Sequence, residues 1–150
     1  MAKKDTITFG TVAEPAVNVH FSVGSKGDNG PADVMLIQTM FRYLAHIKGI
    51  PTQYLGLRLK DLPEITGYCD DKTKQAILKF QIKNAKHLLK IDGLIHPASY
   101  EDRNIKAGEP RLMSITLLHF YAKEMQAWHP EQTYIEDLAN MVPQLQPWLS

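Results

Sequence analysis

Four groups of side chains in this sequence have types that could do chemistry. Six histidines are spread through the chain, at His20, His46, His87, His96, His119 and His129. No two of them have the four-residue spacing, with an intervening glutamate, that puts two imidazoles on one helix face as metal ligands. They read as separate surface or core histidines. Asp70 and Asp71 are adjacent carboxylates, the composition of a metal or general-acid pair, yet a helix start explains both. Cys69 is the one cysteine and has none of the sequence contexts of a catalytic thiol, and a single cysteine excludes an internal disulfide. The stretch Gly24-Ser25-Lys26-Gly27-Asp28-Asn29-Gly30 is rich in glycine but lacks the Gly-Lys-Ser/Thr ending that cradles phosphate. The sequence therefore predicts no enzyme, no catalytic residue, no metal site and no cofactor.

Residues suited to binding are easier to find. At 100° per residue, Lys72, Lys79, Lys83, Lys86 and Lys90 fall within a narrow arc of a helix. Such a stripe is either a solvated face or a docking surface for acidic groups: anionic wall polymers, the carboxylates of peptide stems, or an acidic protein. Nucleic acid is not expected, because no aromatic residues interleave the lysines and the formal net charge is only +1. Tyr54, Tyr68 and Tyr100 lie in irregular segments, where a ring can stack on a sugar or simply pack at a rim. With Asp70, Asp71 and Lys74 they form the candidate ligand-binding set. Lys79, Lys83 and Lys86 are candidates for docking, together with the aromatic anchors Trp128, Tyr134 and Trp148.

The elements that must position these residues are mostly helical. A chain of 150 residues with 44% hydrophobic residues is the size of one domain with one core. Thr6–Phe9 and Val17–Val23 alternate apolar and polar residues, the pattern of a short hairpin or edge ribbon. Pro31 at a first helical position and Asp33 in the first turn open a helix to about His46, with Ile37, Met40, Phe41 and Leu44 in one apolar stripe. Residues 49–69 carry two prolines and several glycines and read as a long ordered connection, in which Leu55, Leu57, Leu59 and Leu62 must pack on something. A second helix, capped by Asp70 or Asp71, runs through Thr73, Ala76, Ile77, Phe80 and Gln81 to about His87. Asp92-Gly93 makes a turn, and Ala98–Asn104 is a candidate short third helix. Two more helices are expected, one from Ser114 up to His129-Pro130 and one around Tyr134–Val142.

Three segments carry a family likeness: Asp33-Val34-Met35-Leu36-Ile37-Gln38, then Thr66-Gly67 through Thr73-Lys74-Gln75-Ala76-Ile77-Leu78-Lys79-Phe80-Gln81, then Asp92-Gly93-Leu94-Ile95-His96-Pro97. Together they resemble the peptidoglycan-binding-domain-like family, and Val23-Gly24 through Pro31-Ala32-Asp33-Val34 is similar to the opening of one of its subgroups. The likeness spans about residues 22–100. It implies a mainly α fold: a three-helix module over 23–108, preceded by a β segment over 1–22 and followed by a helical extension over 109–150. That extension would pack on the module or on a partner. Gln38 and Gln81 become buried amides that satisfy turn backbone groups, and Phe80 becomes core. The implied function is non-catalytic recognition of glycan or stem peptide in a shallow groove between the 49–71 connection and the start of the second helix. Thr66-Gly67 in place of Asp-Gly, and the long connection itself, depart from the family pattern in the region of that groove. The alternative is an adaptor in a phage tail, a contractile injection machine or a secretion assembly that uses the same fold to dock protein.

No apolar run approaches the roughly 18 to 20 residues that cross a bilayer, so membrane insertion is not expected. The residues after Met1-Ala2-Lys3-Lys4 alternate and form no continuous apolar signal region. The expectation is a protein made in the cytoplasm and carried further by lysis or a secretion machine.

Overall fold

The computed structural model describes residues 2–48, 51–106, 108, 111–126 and 133–150. The chain opens on β1 (Lys3–Phe9) and β2 (Val12–Asn18), then β3 (Val23–Gly24) leads into α1 (Pro31–Lys48). A single turn, α2 (Pro51–Tyr54), and a 3-10 turn at Leu59–Asp61 precede α3 (Asp71–Lys83). After a 3-10 turn at Ala85–His87 come β4 (Leu94–Ile95), β5 (Asn104–Ile105), α4 (Ser114–Gln126), α5 (Tyr134–Met141) and the short α6 (Gln146–Leu149).

The expectation of a mainly α protein is overturned. The structure is 48% helical and 17% strand, with two small sheets, which makes it a mixed α and β fold. The N-terminal hairpin is longer than the alternation indicated, pairing in register from Lys3 with Asn18 to Phe9 with Val12, and β5 adds to β1 in parallel as a third strand. β3 and β4 form the second sheet. The predicted third helix at 98–104 does not form, for a physical reason. Tyr100, Glu101, Asp102 and Arg103 offer no apolar stripe, so a helix there would bury little. Instead, Ser99 and Asp102 close one turn with reciprocal side-chain to backbone bonds of 2.9 and 3.1 Å. The backbone then pairs with β1, through Thr8 N–H to Arg103 O and Gly10 N–H to Ile105 O, and Ile105 is buried with Ile7 and Ala16.

α1 is the central helix. Its predicted stripe of Ile37, Met40, Phe41 and Leu44 is buried, but so are Val34, Leu36 and Tyr43 on other sides, because α4 and α5 pack on it as well. Asp33 does more than meet the helix dipole: its buried carboxylate accepts the backbone amides of His20 and Phe21 and ties the helix start to the preceding strand connection. The Phe41 and Phe80 rings, 6.0 Å apart, join α1 to α3. One hydrophobic cluster runs from Ala2 and Val17 through α1 and α3 to Leu138, Leu145 and Leu149.

The two family-like glutamines behave as anticipated. Gln38 accepts the amides of Thr66 (2.8 Å) and Gly67 (3.0 Å) and donates to the Tyr68 carbonyl and the Thr73 hydroxyl. Gln81 accepts the Gly93 amide at 2.7 Å and donates to the Leu94 carbonyl at 2.8 Å. Each amide therefore fixes a turn from a buried helix position.

Candidate functional site

The groove with the most chemical character lies across the outer face of α3. Leu55 and Leu57 are fully buried and pin the connection to the core, and the Asn84 side chain donates to the Tyr54 carbonyl at 2.7 Å. Between the two leucines, Gly56 takes a φ of +68° and passes so close to α3 that a Cβ there would lie 2.7 Å from Lys83 Cβ. Only glycine combines that backbone conformation with that approach. The chain then rises from the surface, and Arg58, Leu59 and Lys60 point outward, with Leu59 66% exposed. Leu59 thus departs from the expectation that all four leucines of the connection pack inward. Loop and helix enclose a groove of about 500 Å³ lined by Gly56, Arg58, Lys60, Asp61, Lys79, Ile82 and Lys83.

Four cations face one carboxylate there. Asp61 accepts the Arg58 backbone amide at 3.2 Å and lies 3.6 Å from Lys79 Nζ. That amide, aided by the Lys79 and Lys60 charges, outweighs the opposing effect of desolvation and holds its carboxyl below the usual aspartate range. Asp61 is therefore ionised and offsets one cation, leaving an excess of positive charge around Ile82, which is 60% exposed. This arrangement suits an anionic ligand with some apolar surface. Positive charge and an open aliphatic floor can hold a carboxylate or phosphate.

The structure distributes the predicted site residues differently from the sequence reading. Lys79 and Lys83 line the groove, whereas Lys86 lies beyond it in the following 3-10 turn. α3 stops at Lys83 because the buried Asn84 turns its side chain back onto the Phe80 carbonyl at 2.9 Å. Lys86 and Lys90 therefore leave the lysine stripe.

None of the six predicted ligand residues lines this groove. Tyr54 packs its ring on Tyr121 (4.8 Å) and bonds Glu124, so it joins the connection to α4. Tyr68 and Tyr100 are 72% and 75% exposed. Asp70 is the N-cap of α3, its Oδ1 accepting the Thr73 amide at 2.9 Å and the Thr73 hydroxyl at 2.6 Å. Asp71 is exposed in the first helical turn, and Lys74 lies close enough to the buried Cys69 to favour its thiolate. Burial outweighs that effect and pushes the Cys69 thiol up, as befits a core cysteine.

One of the expected docking anchors, Tyr134, is corrected. Tyr134 is 2% exposed; its hydroxyl bonds His119 Nδ1 at 2.5 Å and accepts the Val17 amide, so it offers no surface to a partner. Burial lowers the His119 pKa, the neutral ring gives its Nε2 proton to Glu14 at 2.9 Å, and Tyr134 donates to Nδ1. Lys123 closes this network on Glu14. Trp148 is partly buried against the main core, and Trp128 lies outside the described residues.

Sequence reasoning missed Gly56, Arg58, Lys60, Asp61 and Ile82. The signal that could have found them is the run Arg58-Leu59-Lys60-Asp61, an amphipathic charge cluster inside an otherwise leucine-rich connection. Among the described residues no group of histidine, cysteine and carboxylate side chains could hold a metal, and no helix is long and apolar enough to cross a membrane. No family model, curated protein or solved structure matches the chain.

Proposed function

We propose that this chain is a binding module for the bacterial cell wall, holding a carboxylate of a peptidoglycan stem peptide in the α3 groove. The observation that carries this reading is the placement of Arg58, Lys60, Lys79 and Lys83 around the exposed Ile82. The resemblance of residues 22–100 to the peptidoglycan-binding-domain-like family supports the same ligand class, and the groove contributes binding rather than chemistry. The test is co-sedimentation with purified peptidoglycan sacculi. Wild-type protein is expected to bind saturably, and Lys79→Glu with Lys83→Glu to reduce binding at least about tenfold, the effect of losing about 1.4 kcal/mol. Binding no greater than that of a charge-matched control protein would refute the proposal.

A second reading is supported by Leu78 and Leu59, exposed at 42% and 66% on the same helix and loop as Ile82. An acidic protein segment with apolar residues, in a tail or injection assembly, would use both the charge and this aliphatic surface. Light scattering after size-exclusion chromatography of the protein with its genomic neighbours tests it. A complex that dissociates in Leu59→Ser with Ile82→Ser favours this reading over wall binding.

A further inference from the structure

Ser22 is far in sequence from Asp92 and His96, which lie four residues apart, and meets them beside the small sheet of β3 and β4. The register pairs Val23 with Ile95, and continuing it by one residue sets Ser22 opposite His96. Ser22 Oγ lies 2.9 Å from His96 Nδ1, and His96 Nε2 lies 2.7 Å from Asp92 Oδ2. The far side of Asp92 is held: its Oδ1 accepts the Leu94 amide at 3.1 Å and faces Gln81 Nε2 at 3.5 Å. Burial alone would raise the Asp92 pKa, but the His96 and Leu94 hydrogen bonds outweigh it and keep the group ionised. A carboxylate can only accept, so the imidazole proton sits on Nε2, and the Nδ1 lone pair is left to take the Ser22 hydroxyl proton.

We propose that Ser22, His96 and Asp92 form a nucleophile, base and orienting-acid line that hydrolyses esters of short carboxylic acids. The order of roles is that of a serine hydrolase, with the two ring nitrogens exchanged relative to the commonest arrangement. Ser22 Oγ bonds to the ester carbonyl carbon as its proton passes to His96 Nδ1. The bond to the alcohol oxygen then breaks, and the alcohol leaves with that proton. Water attacks the acyl carbon, giving a proton to Nδ1, and the carboxylic acid departs as Ser22 regains its hydrogen. Ester and water become acid and alcohol, with no other reactant needed.

Asp92 stabilises the imidazolium without itself being protonated. The depression of about 10 Å³ lined by Lys90, Asp92, Leu94, His96, Met113 and Ser114 lies on the Asp92 side of the ring, and Ser22 is not part of its wall. Ser22 is partly exposed and the side chains of His96 and Asp92 are 30% and 32% exposed, so the ester reaches Ser22 from solvent with no pocket to hold a long acyl chain, and short acyl groups are the substrates. This activity is independent of the α3 groove.

The experiment uses the full chain with two probes, p-nitrophenyl acetate for turnover and a fluorophosphonate for covalent capture. The expected result is phosphonylation of Ser22, located by peptide mass mapping, and ester hydrolysis that falls to background in Ser22→Ala. His96→Gln is expected to slow hydrolysis by about 100-fold or more, as for loss of a general base. A merely structural cross-strand pair would be lost in the same variants but would never give a labelled Ser22. Absence of that label, or hydrolysis unchanged in Ser22→Ala, overturns the proposal. If Ser22→Ala does not fold, Ser22→Cys decides the matter: iodoacetamide should alkylate it faster than the same variant carrying His96→Gln, and equal rates overturn the proposal.

Discussion

Gln38, itself fully buried, spends both ends of its amide on residues 66–73. Replacing it with alanine removes the hydrogen bonds that hold the half-exposed Thr66–Gly67 turn and the one to the buried Thr73 hydroxyl, and each such bond contributes about 0.5 to 1.5 kcal/mol. Gln38→Ala should therefore lower the urea midpoint by more than any exposed substitution on α3; an unchanged midpoint would show that the turn finds other partners. Asp70 acts on the same segment from the other side. As the N-cap of α3 it contributes about 1 kcal/mol. The Thr73 hydroxyl and amide hold its carboxyl below the ordinary aspartate value of 3.8. For a depressed carboxyl, the stabilisation is complete above that ordinary value and is lost as pH falls through the lowered one. Asp70→Asn should flatten the acid limb of stability against pH, and urea titrations of both proteins from neutral to acidic pH will check it.

At the scale of elements, the glycines differ sharply in what they permit. Gly24 in β3 has a φ of +132°, and a Cβ there would lie 2.1 Å from the Gly93 carbonyl. That contact is backbone to backbone and cannot be relieved by a side-chain rotation. Gly24→Ala should thus cost more than about 2 kcal/mol by forcing β3 from β4, and with them Ser22 from His96. Gly10, at the hairpin turn, has a φ of +62° but open space around it. Gly10→Ala should cost only the left-handed strain, about 1 kcal/mol. Thermal melts of the two variants give the comparison, and equal losses would mean that strain alone, not the close approach, governs Gly24. The same reasoning explains the groove: Gly56 lets the connection press on α3, so Lys79 and Lys83 face Arg58 and Lys60 instead of open solvent.

Across the whole molecule, α4 and α5 bury residues in the same cluster as α1 and α3. Leu138 in α5 and Ile77 in α3 are both fully buried. Leu138→Ala should cost about 2 to 5 kcal/mol, as core truncations do, and should lower one cooperative transition that includes α3. Calorimetry is the check, and a separate low-temperature transition in that variant would show α5 to be an independent unit. The network that runs from buried Tyr134 and His119 through Glu14 to the exposed Lys123 ties β2 to α4 and α5 in the same way, and its two buried members would be costly to leave unpaired.

Local rules made part of this protein legible before any coordinates. Pro31 and Asp33 mark the start of α1, the pair Asp70-Asp71 marks the start of α3 without deciding which of them caps it, and the family-like spacing gives Gln38, Gln81 and Phe80 their buried roles, because caps and apolar periodicity act within one or two turns. The two groove lysines were also legible as part of a charged helix face. What the sequence could not determine depends on partners distant along the chain. β5 forms because β1 offers it a free edge, a partner about a hundred residues away that the local pattern of 98–104 does not reveal. The cations of residues 58–60 meet α3 only through the close approach at Gly56, and Ser22 meets His96 only through the register of β3 and β4. Local preferences are set by neighbouring residues and survive in sequence order, whereas edge pairing, loop crossings and side-chain lines are set by tertiary packing, which brings residues distant in the chain into contact and decides between local alternatives of similar energy.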